Sequence, residues 1–410
     1  MYNAQELINS LPAMLSGEEL LSAMTVLPEY SEEIRQASPS VRLVGLSDIY
    51  KIYLPSHMSV EIYSKLYLAL LRSLQKKRTK EAVRQQNENY KAIQQQAYNG
   101  ILGGSDSFTI IGTSGIGKSS AITRAISLIS SKGIIEVKEP YAKIIPCVIV
   151  QCPFDSSVKG LLLEILRKVD ECLKTNYYQD ALRTRATTDM LIGSVSQVAL
   201  NHVGLLIVDE IQNVVNSKNG KSLVGMLTQL INNSGISICM VGTPESSIFF
   251  EQAMQLARRS LGLQYNRMEY GQDFYDFCRM LFRYQYVQQT AEFSEAVTEW
   301  LYEHSSGVIS VVVSLIHDAQ EIAILNGTEK LNLESLNEAY QKRMTLLHGF
   351  IEPEKKRRGQ KKPEKQKLIL EQSAYNVEGS ISELALKAKT ENLNMVELLK
   401  NMITVVEVQI

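Results

Sequence analysis

Between residues 100 and 270 the chain alternates short, nearly uninterrupted apolar runs with longer stretches whose apolar positions recur every three to four residues. The runs suit strands covered on both faces, and the wider spacing is that of amphipathic helices. Strands are predicted at 107–112, 144–152, 204–209 and 236–242, with a shorter one near Met268-Glu-Tyr completing five. Helices are predicted at 119–131, 157–175, 186–202 and 221–233. Strand and helix in strict alternation predict an α/β fold with a five-stranded parallel sheet and crossover helices.

The pattern changes on either side of this core. Residues 272–346 read as helix throughout, at 274–286, 294–304, 308–326 and 333–347, which predicts a helical lid. Upstream, residues 58–96 carry helical periodicity through Tyr63, Tyr67, Leu70 and Leu74 that turns very polar after Lys76, so the first hundred residues read as a helical appendage. Downstream, residues 352–363 combine charge, glycine and proline as linkers do. Two short amphipathic patterns follow, Ile381 to Lys389 and Met395 to Thr404, suited either to docking a partner or to packing back on the parent. The predicted organisation is a partner-binding extension at 1–99, a nucleotide-binding core at 100–271, a lid at 272–350, a basic linker at 351–367 and a docking tail at 368–410.

Length and charge refine this reading. A chain of 410 residues suggests two to three domains. Forty-three basic side chains against forty-four acidic ones leave no global attraction to nucleic acid or membrane, so local patches must carry any such contact. The charge is uneven: residues 1–60 hold three basic and seven acidic groups, and Lys355 to Lys367 hold eight basic and one acidic. The five cysteines form no C-x-x-C pair and mostly sit in apolar runs, which suits reduced thiols. No uninterrupted apolar stretch of membrane-spanning length and no basic-flanked leader is seen, so a cytoplasmic protein with no membrane partner is expected.

The chemistry is densest at residues 112–119, Gly-Thr-Ser-Gly-Ile-Gly-Lys-Ser, a full G-x-x-x-x-G-K-[ST] loop between a predicted strand and a predicted helix. Gly112, Gly115 and Gly117 let the backbone curl so that the amides of Thr113, Ser114, Ile116 and Ser120 and the helix N-terminus face phosphates. Lys118 would reach the outer phosphates, and Ser119 would ligate Mg²⁺. A second element is Leu205-Leu-Ile-Val-Asp-Glu, a strand whose tip enters water with two carboxylates. On a neighbouring parallel strand, Asp209 is placed to serve Mg²⁺ and Glu210 to polarise an attacking water. Val241-Gly-Thr-Pro-Glu ends the next strand and offers Thr243, equally a γ-phosphate sensor or a strand-to-turn cap. Arg258 and Arg259 follow, and an arginine remote from its own nucleotide can complete a neighbour's site.

This order of motifs, then a helical lid, resembles the AAA+ ATPases and, within them, the TnsC/TniB transposition regulators. The resemblance spans about residues 40–325 and includes Ile211-Gln-Asn-Val-Val and, more loosely, Arg42-Leu-Val-Gly-Leu-Ser-Asp-Ile-Tyr. It implies an AAA+ P-loop NTPase that uses ATP and Mg²⁺, with Glu210 as base, Thr243 as sensor and Arg258, or alternatively Arg259, as finger. It implies ATP-dependent assembly of a ring or filament on double-stranded DNA through nonspecific backbone contacts. Implied partners are transposase subunits and a target-selection protein of the TniQ/TnsD type. Lys159, Arg167, Lys168, Lys218 and Lys221 are candidates for phosphate contacts, or else ordinary solvated surface. One departure is that Ser305 to Val313 offers no arginine where many AAA+ lids carry one. Competing readings are a replication-initiator or helicase-loader ATPase and a nucleotide switch that does not act on DNA.

Overall fold

The computed structural model describes residues 9–76, 107–138, 141–215, 217–247 and 262–344. Arg258, Arg259, the polar stretch after Lys76, the linker and the tail lie outside these residues. The chain begins with helices α1 (Gly17–Met24), α2 (Pro39–Leu46) and α3 (His57–Lys76). Strand β1 (Phe108–Gly112) feeds α4 (Lys118–Ile129), and β2 (Ile135–Lys138) and β3 (Tyr141–Gln151) follow. Next come α5 (Val158–Leu173), α6 (Tyr177–Arg183), α7 (Thr188–His202), β4 (Val203–Asp209), α8 (Gly220–Ser234) and β5 (Ser237–Gly242). After β6 (Leu263–Tyr265) the lid is built from α9 (Gln272–Phe282), α10 (Glu295–Ser305), α11 (Ile309–Asn326) and α12 (Leu333–Arg343).

The sheet order is β2-β3-β4-β5-β1-β6. All neighbours are parallel except β2, which pairs antiparallel with β3 and adds a sixth strand to the five expected. Ile135-Glu-Val-Lys is too short, and too close to β3, for its alternation to stand out. The last parallel strand is Leu263–Tyr265, paired to Ile110–Gly112, whereas residues 268–270 are loop outside the sheet. In register, Ile111 faces Gly242 and Val208 faces Met240, so Gly112, Asp209 and Thr243 emerge together at the carboxyl edge.

Alternation along the central strands divides the core. Leu206, Val208, Ile238 and Met240 pack with α5, α7 and α8, while Leu205, Ile207, Cys239 and Val241 pack with α3 and α4. Each fully buried aliphatic side chain contributes on the order of 1.5–3 kcal/mol. Both faces are therefore covered, as unbroken apolar strands require. Helix α3 supplies Ile62, Leu66 and Leu70 to this layer, and Ser73 Oγ donates to the Gly204 carbonyl at 2.6 Å. Residues 57–76 thus form part of the core wall, where the sequence had suggested an appendage.

Leu20 and Met24 of α1 join the same layer, and Arg124 of α4 donates to the Met24 carbonyl at 2.9 Å, whereas residues 30–54 bind the lid. Leu46 and Ile49 are buried among Phe274, Phe282, Leu315 and Ile316. Arg42, 1% exposed, donates through Nη1 and Nη2 to the Glu329 carboxylate at 2.6 Å each and through Nη1 to the Tyr286 carbonyl at 3.0 Å. Tyr30 donates to the Gln285 carbonyl at 2.5 Å. A strap from residue 30 to 54 is thereby tied to the lid, and Tyr53 bridges back to Val26. Helix α11 is the one described helix long and apolar enough to cross a membrane, and its Val311, Val312, Leu315, Ile316 and Ala319 form the lid interior. No cysteine is disulfide-bonded; Cys152, Cys239 and Cys278 are buried and Cys172 is exposed. Burial pushes the Cys147 and Cys152 thiols up to about 12, so neither is a thiolate near neutral pH.

Candidate nucleotide site

The loop between β1 and α4 curls around its own lysine. Gly115 and Gly117 adopt φ of +80° and +94°, which other residues rarely adopt. A side chain at Gly112 would lie 2.8 Å from the Tyr265 carbonyl oxygen, so neighbouring β6 also requires glycine there. Lys118 Nζ donates to the carbonyls of Gly112 at 2.7 Å and Thr113 at 2.9 Å. Burial pulls this ammonium below the ordinary lysine range, countered in part by Asp209, Glu210 and Glu245. A nearly buried cation facing three carboxylates at the head of a helix is poised for a polyanion.

The strand tips bring the other predicted groups to the same place. Ser119 Oγ donates to Asp209 Oδ2 at 3.1 Å, joining β1 and β4 across intervening β5. Asp209 Oδ1 accepts the Glu210 amide at 2.8 Å, and Glu210 itself has φ of +58°, turning the chain sharply out of the strand. Gln212, which motif reading had not singled out as a site residue, donates from Nε2 to Glu210 Oε2 and accepts the Thr243 amide at 3.3 Å through Oε1. It links the tips of β4 and β5. Thr243 also holds the Glu245 carboxyl below the usual carboxylate range through a side-chain hydrogen bond.

These groups form one end of a cavity of about 410 Å³. The other end is apolar and comes from elements outside the motifs: Ile52 and Leu54 of the strap, Phe277 of α9, and Ile309 and Val313 of α11. An apolar chamber ending in a few convergent polar groups is the usual form of a small-molecule site. A flat base fits the apolar end and a phosphate chain the loop. The lid reaches the loop directly, because the Ser310 amide donates to the Gly115 carbonyl at 3.0 Å. A second contact runs from the Met268 amide to the Gly307 carbonyl at 3.1 Å. Added Cβ atoms would lie 2.3 Å from Ser310 Oγ at Gly115 and 2.0 Å from the Met268 oxygen at Gly307, so both junctions close only over glycine.

Residues 104–269, which contain the loop, the paired acids and Thr243, match the family model of the bacterial TniB protein. Over this segment the chain is similar to the TniB family. No curated protein matches the sequence. Among solved structures, the chain is similar to the Aeropyrum pernix ORC1 protein, solved in complex with DNA, at 15% identity and a TM-score of 0.42. That likeness covers 61% of this chain and only 62% of the ORC1 chain. Domain III of the Thermotoga maritima replication initiation protein DnaA is similar at 16% identity and a TM-score of 0.32, over 67% of this chain and 95% of that one. C. elegans PCH-2 is similar at 14% identity and a TM-score of 0.38, over 74% and 72%.

The basic candidates separate into two groups. Arg167 is ion-paired to Glu164 and Glu171, and Lys168 to Glu171 at 3.3 Å, all on α5. Their charge is already matched within one helix. Lys159, Lys218 and Lys221 are exposed, and no ion pair engages them among the described residues.

Proposed function

We propose that the chain is an ATPase that assembles, with ATP bound, into a ring or filament on double-stranded DNA and links target selection to transposase recruitment. The observation that carries this reading is the TniB match over the same residues that bring Lys118, Ser119, Asp209 and Glu210 together. ATP occupies the cavity with its base between the strap and α11 and its phosphates in the loop. Ser119 and Asp209 present two hard oxygens within hydrogen-bonding distance, the donor set Mg²⁺ prefers, and they are the residues that would hold it. When bound, Mg²⁺ neutralises phosphate charge and orients the chain of phosphates.

Within this reading each residue has one task. Lys118 leaves the Gly112 and Thr113 carbonyls and donates to the outer phosphates. Glu210, steadied by Gln212, accepts a proton from the attacking water. Thr243 hydrogen-bonds the terminal phosphate. Arg258, with Arg259 as alternate, comes from the adjacent subunit to stabilise charge in the transition state. Exposed Lys159, Lys218 and Lys221 contact DNA phosphates, and repetition along a polymer lets a few lysines per subunit suffice. Residues 368–410 recruit the transposase, and a TniQ- or TnsD-type protein supplies the target. Electron microscopy with a non-hydrolysable ATP analogue tests the assembly: ordered polymers are expected on duplex DNA, and dispersed particles with and without DNA would reject it.

A further inference from the structure

Phe154 is the most exposed large apolar side chain among the described residues, at 90%. It follows β3 at the carboxyl edge of the sheet, beside the tip that carries Asp209 and Glu210. A lone exposed phenylalanine is ordinary on a loose loop. This loop is held on both sides. Cys152 donates its amide to the Asp209 carbonyl at 2.8 Å, and Asn213 Nδ2 donates to the Cys152 carbonyl at 2.9 Å. The Asp155 carbonyl accepts from Ser217 Oγ at 3.0 Å and Asn219 Nδ2 at 3.2 Å. Ser156, fully buried with φ of +52°, donates through Oγ to the Asn213 carbonyl at 3.0 Å. The backbone is fixed from 152 to 157, and the ring is displayed by construction.

The surroundings indicate the occupant. Lys159 lies in the first turn of α5, immediately after the loop, and Lys218 and Lys221 flank Asn219 on the segment bonded to it. All three are exposed and, among the described residues, outside any ion pair, unlike Arg167 and Lys168. The Asp155 carboxylate is engaged by the Ser157 amide at 3.0 Å. Asp155 and Glu245 line the depression beside the ring, and the three lysines lie on the elements that bound its loop; an exposed aromatic ring on a loop bounded by lysines matches a polyanion that also offers flat apolar surface, which is nucleic acid. We propose that Phe154 is a contact residue for duplex DNA, its ring against sugar and base edges while Lys159, Lys218 and Lys221 hold the flanking phosphates. The loop is bonded directly to the Asp209 carbonyl and, through Asn213, whose amide donates to the Glu210 carbonyl at 3.1 Å, to the hydrolytic acid. DNA bound at Phe154 therefore acts one hydrogen bond away from the ATPase acids.

This proposal rests on the DNA-binding reading above, and the test separates the two. Full-length wild type, F154A and the triple variant K159A/K218A/K221A are titrated with a fluorescein-labelled 30-base-pair duplex in the presence of an ATP analogue, followed by anisotropy at several salt concentrations. F154A should bind duplex about tenfold more weakly with unchanged affinity for the analogue, as expected for one lost aromatic contact. The triple variant should lower the slope of log affinity against log salt by up to about 3. F154W provides a direct signal, because the chain has one other tryptophan, Trp300. Its emission should be quenched by duplex beyond any change in wild type. Wild type that binds while F154A binds equally, with no added quenching in F154W, would overturn the Phe154 assignment alone. Wild type that fails to bind any duplex would overturn the DNA reading and this proposal with it. Loss of DNA-free assembly in F154A would assign the ring to a subunit contact and reject the proposal.

Discussion

Lys118 already spends its donors on the carbonyls of Gly112 and Thr113, so phosphate binding exchanges neutral acceptors for charged ones. Hydrogen bonds to charged groups are worth roughly 1.5–3 kcal/mol. K118A is accordingly expected to weaken ATP binding about ten- to a hundredfold and to abolish ATP-dependent assembly, measurable with a fluorescent nucleotide and light scattering. E210Q should leave nucleotide affinity within a few fold while slowing turnover by about 10²–10⁴ in a phosphate-release assay, because an amide cannot accept the proton. At this scale the sequence was informative where chemistry depends on local spacing. The loop from Gly112 to Ser119 and the acids after Val208 could be read directly, and the structure brings them together. Gln212 was not legible as a site residue, since its bond to the Thr243 amide spans 31 residues and needs the β4–β5 register to exist. Arg167 shows the converse limit: spacing left it either a phosphate contact or solvated surface, and only the fold shows its pairing with Glu164 and Glu171.

The elements that were legible are those long enough to show a period. β1, β4 and β5 appear as apolar runs because helices cover both faces, whereas β2 and β6, four and three residues long, carry too little pattern. The double role of the N-terminal segment was hidden for another reason: its decisive bonds, Tyr30 to Gln285 and Arg42 to Glu329, span 255 and 287 residues. Helix α11 has no arginine to address the phosphates, yet its first turn is bonded to the loop through the Ser310 amide. Proline is tolerated in a first helical turn and removes that donor. S310P should keep the fold and weaken nucleotide binding about two- to tenfold, whereas S310A should change it less than twofold; equal effects would show that the amide bond is not used. The strap supplies a pH test. Arg42 holds the Glu329 carboxyl below its ordinary value of 4.5, so the folded state favours the ionised form. The resulting stability is complete above about pH 4.5 and is lost as pH falls through the lower folded-state value. E329Q, which removes the counter-charge while Arg42 keeps its bonds to the Ala37 and Tyr286 carbonyls, should cost about 1.5–3 kcal/mol at pH 7 by thermal denaturation, with the gap to wild type narrowing in acid.

For the whole molecule, the function proposed above assigns Arg258 to the site of the next subunit. R258A should lower ATPase activity, and mixing it with K118A should restore part of that activity, since a mixed interface can pair an intact loop with an intact arginine. Mixtures no more active than the sum of their components would place Arg258 outside the shared site. The strap and the lid, by contrast, meet within one chain through the tie between Arg42 and Glu329. Those residues are 287 apart in sequence. At a synthesis rate of about 5–20 residues per second, Arg42 leaves the ribosome roughly 15–60 seconds before its partner is made. During that interval the phosphate loop and its sheet can form, but Ile52 and Leu54 have no lid to face. A nascent chain therefore completes the glycine loop before the apolar lining that Phe277, Ile309 and Val313 add to the same cavity.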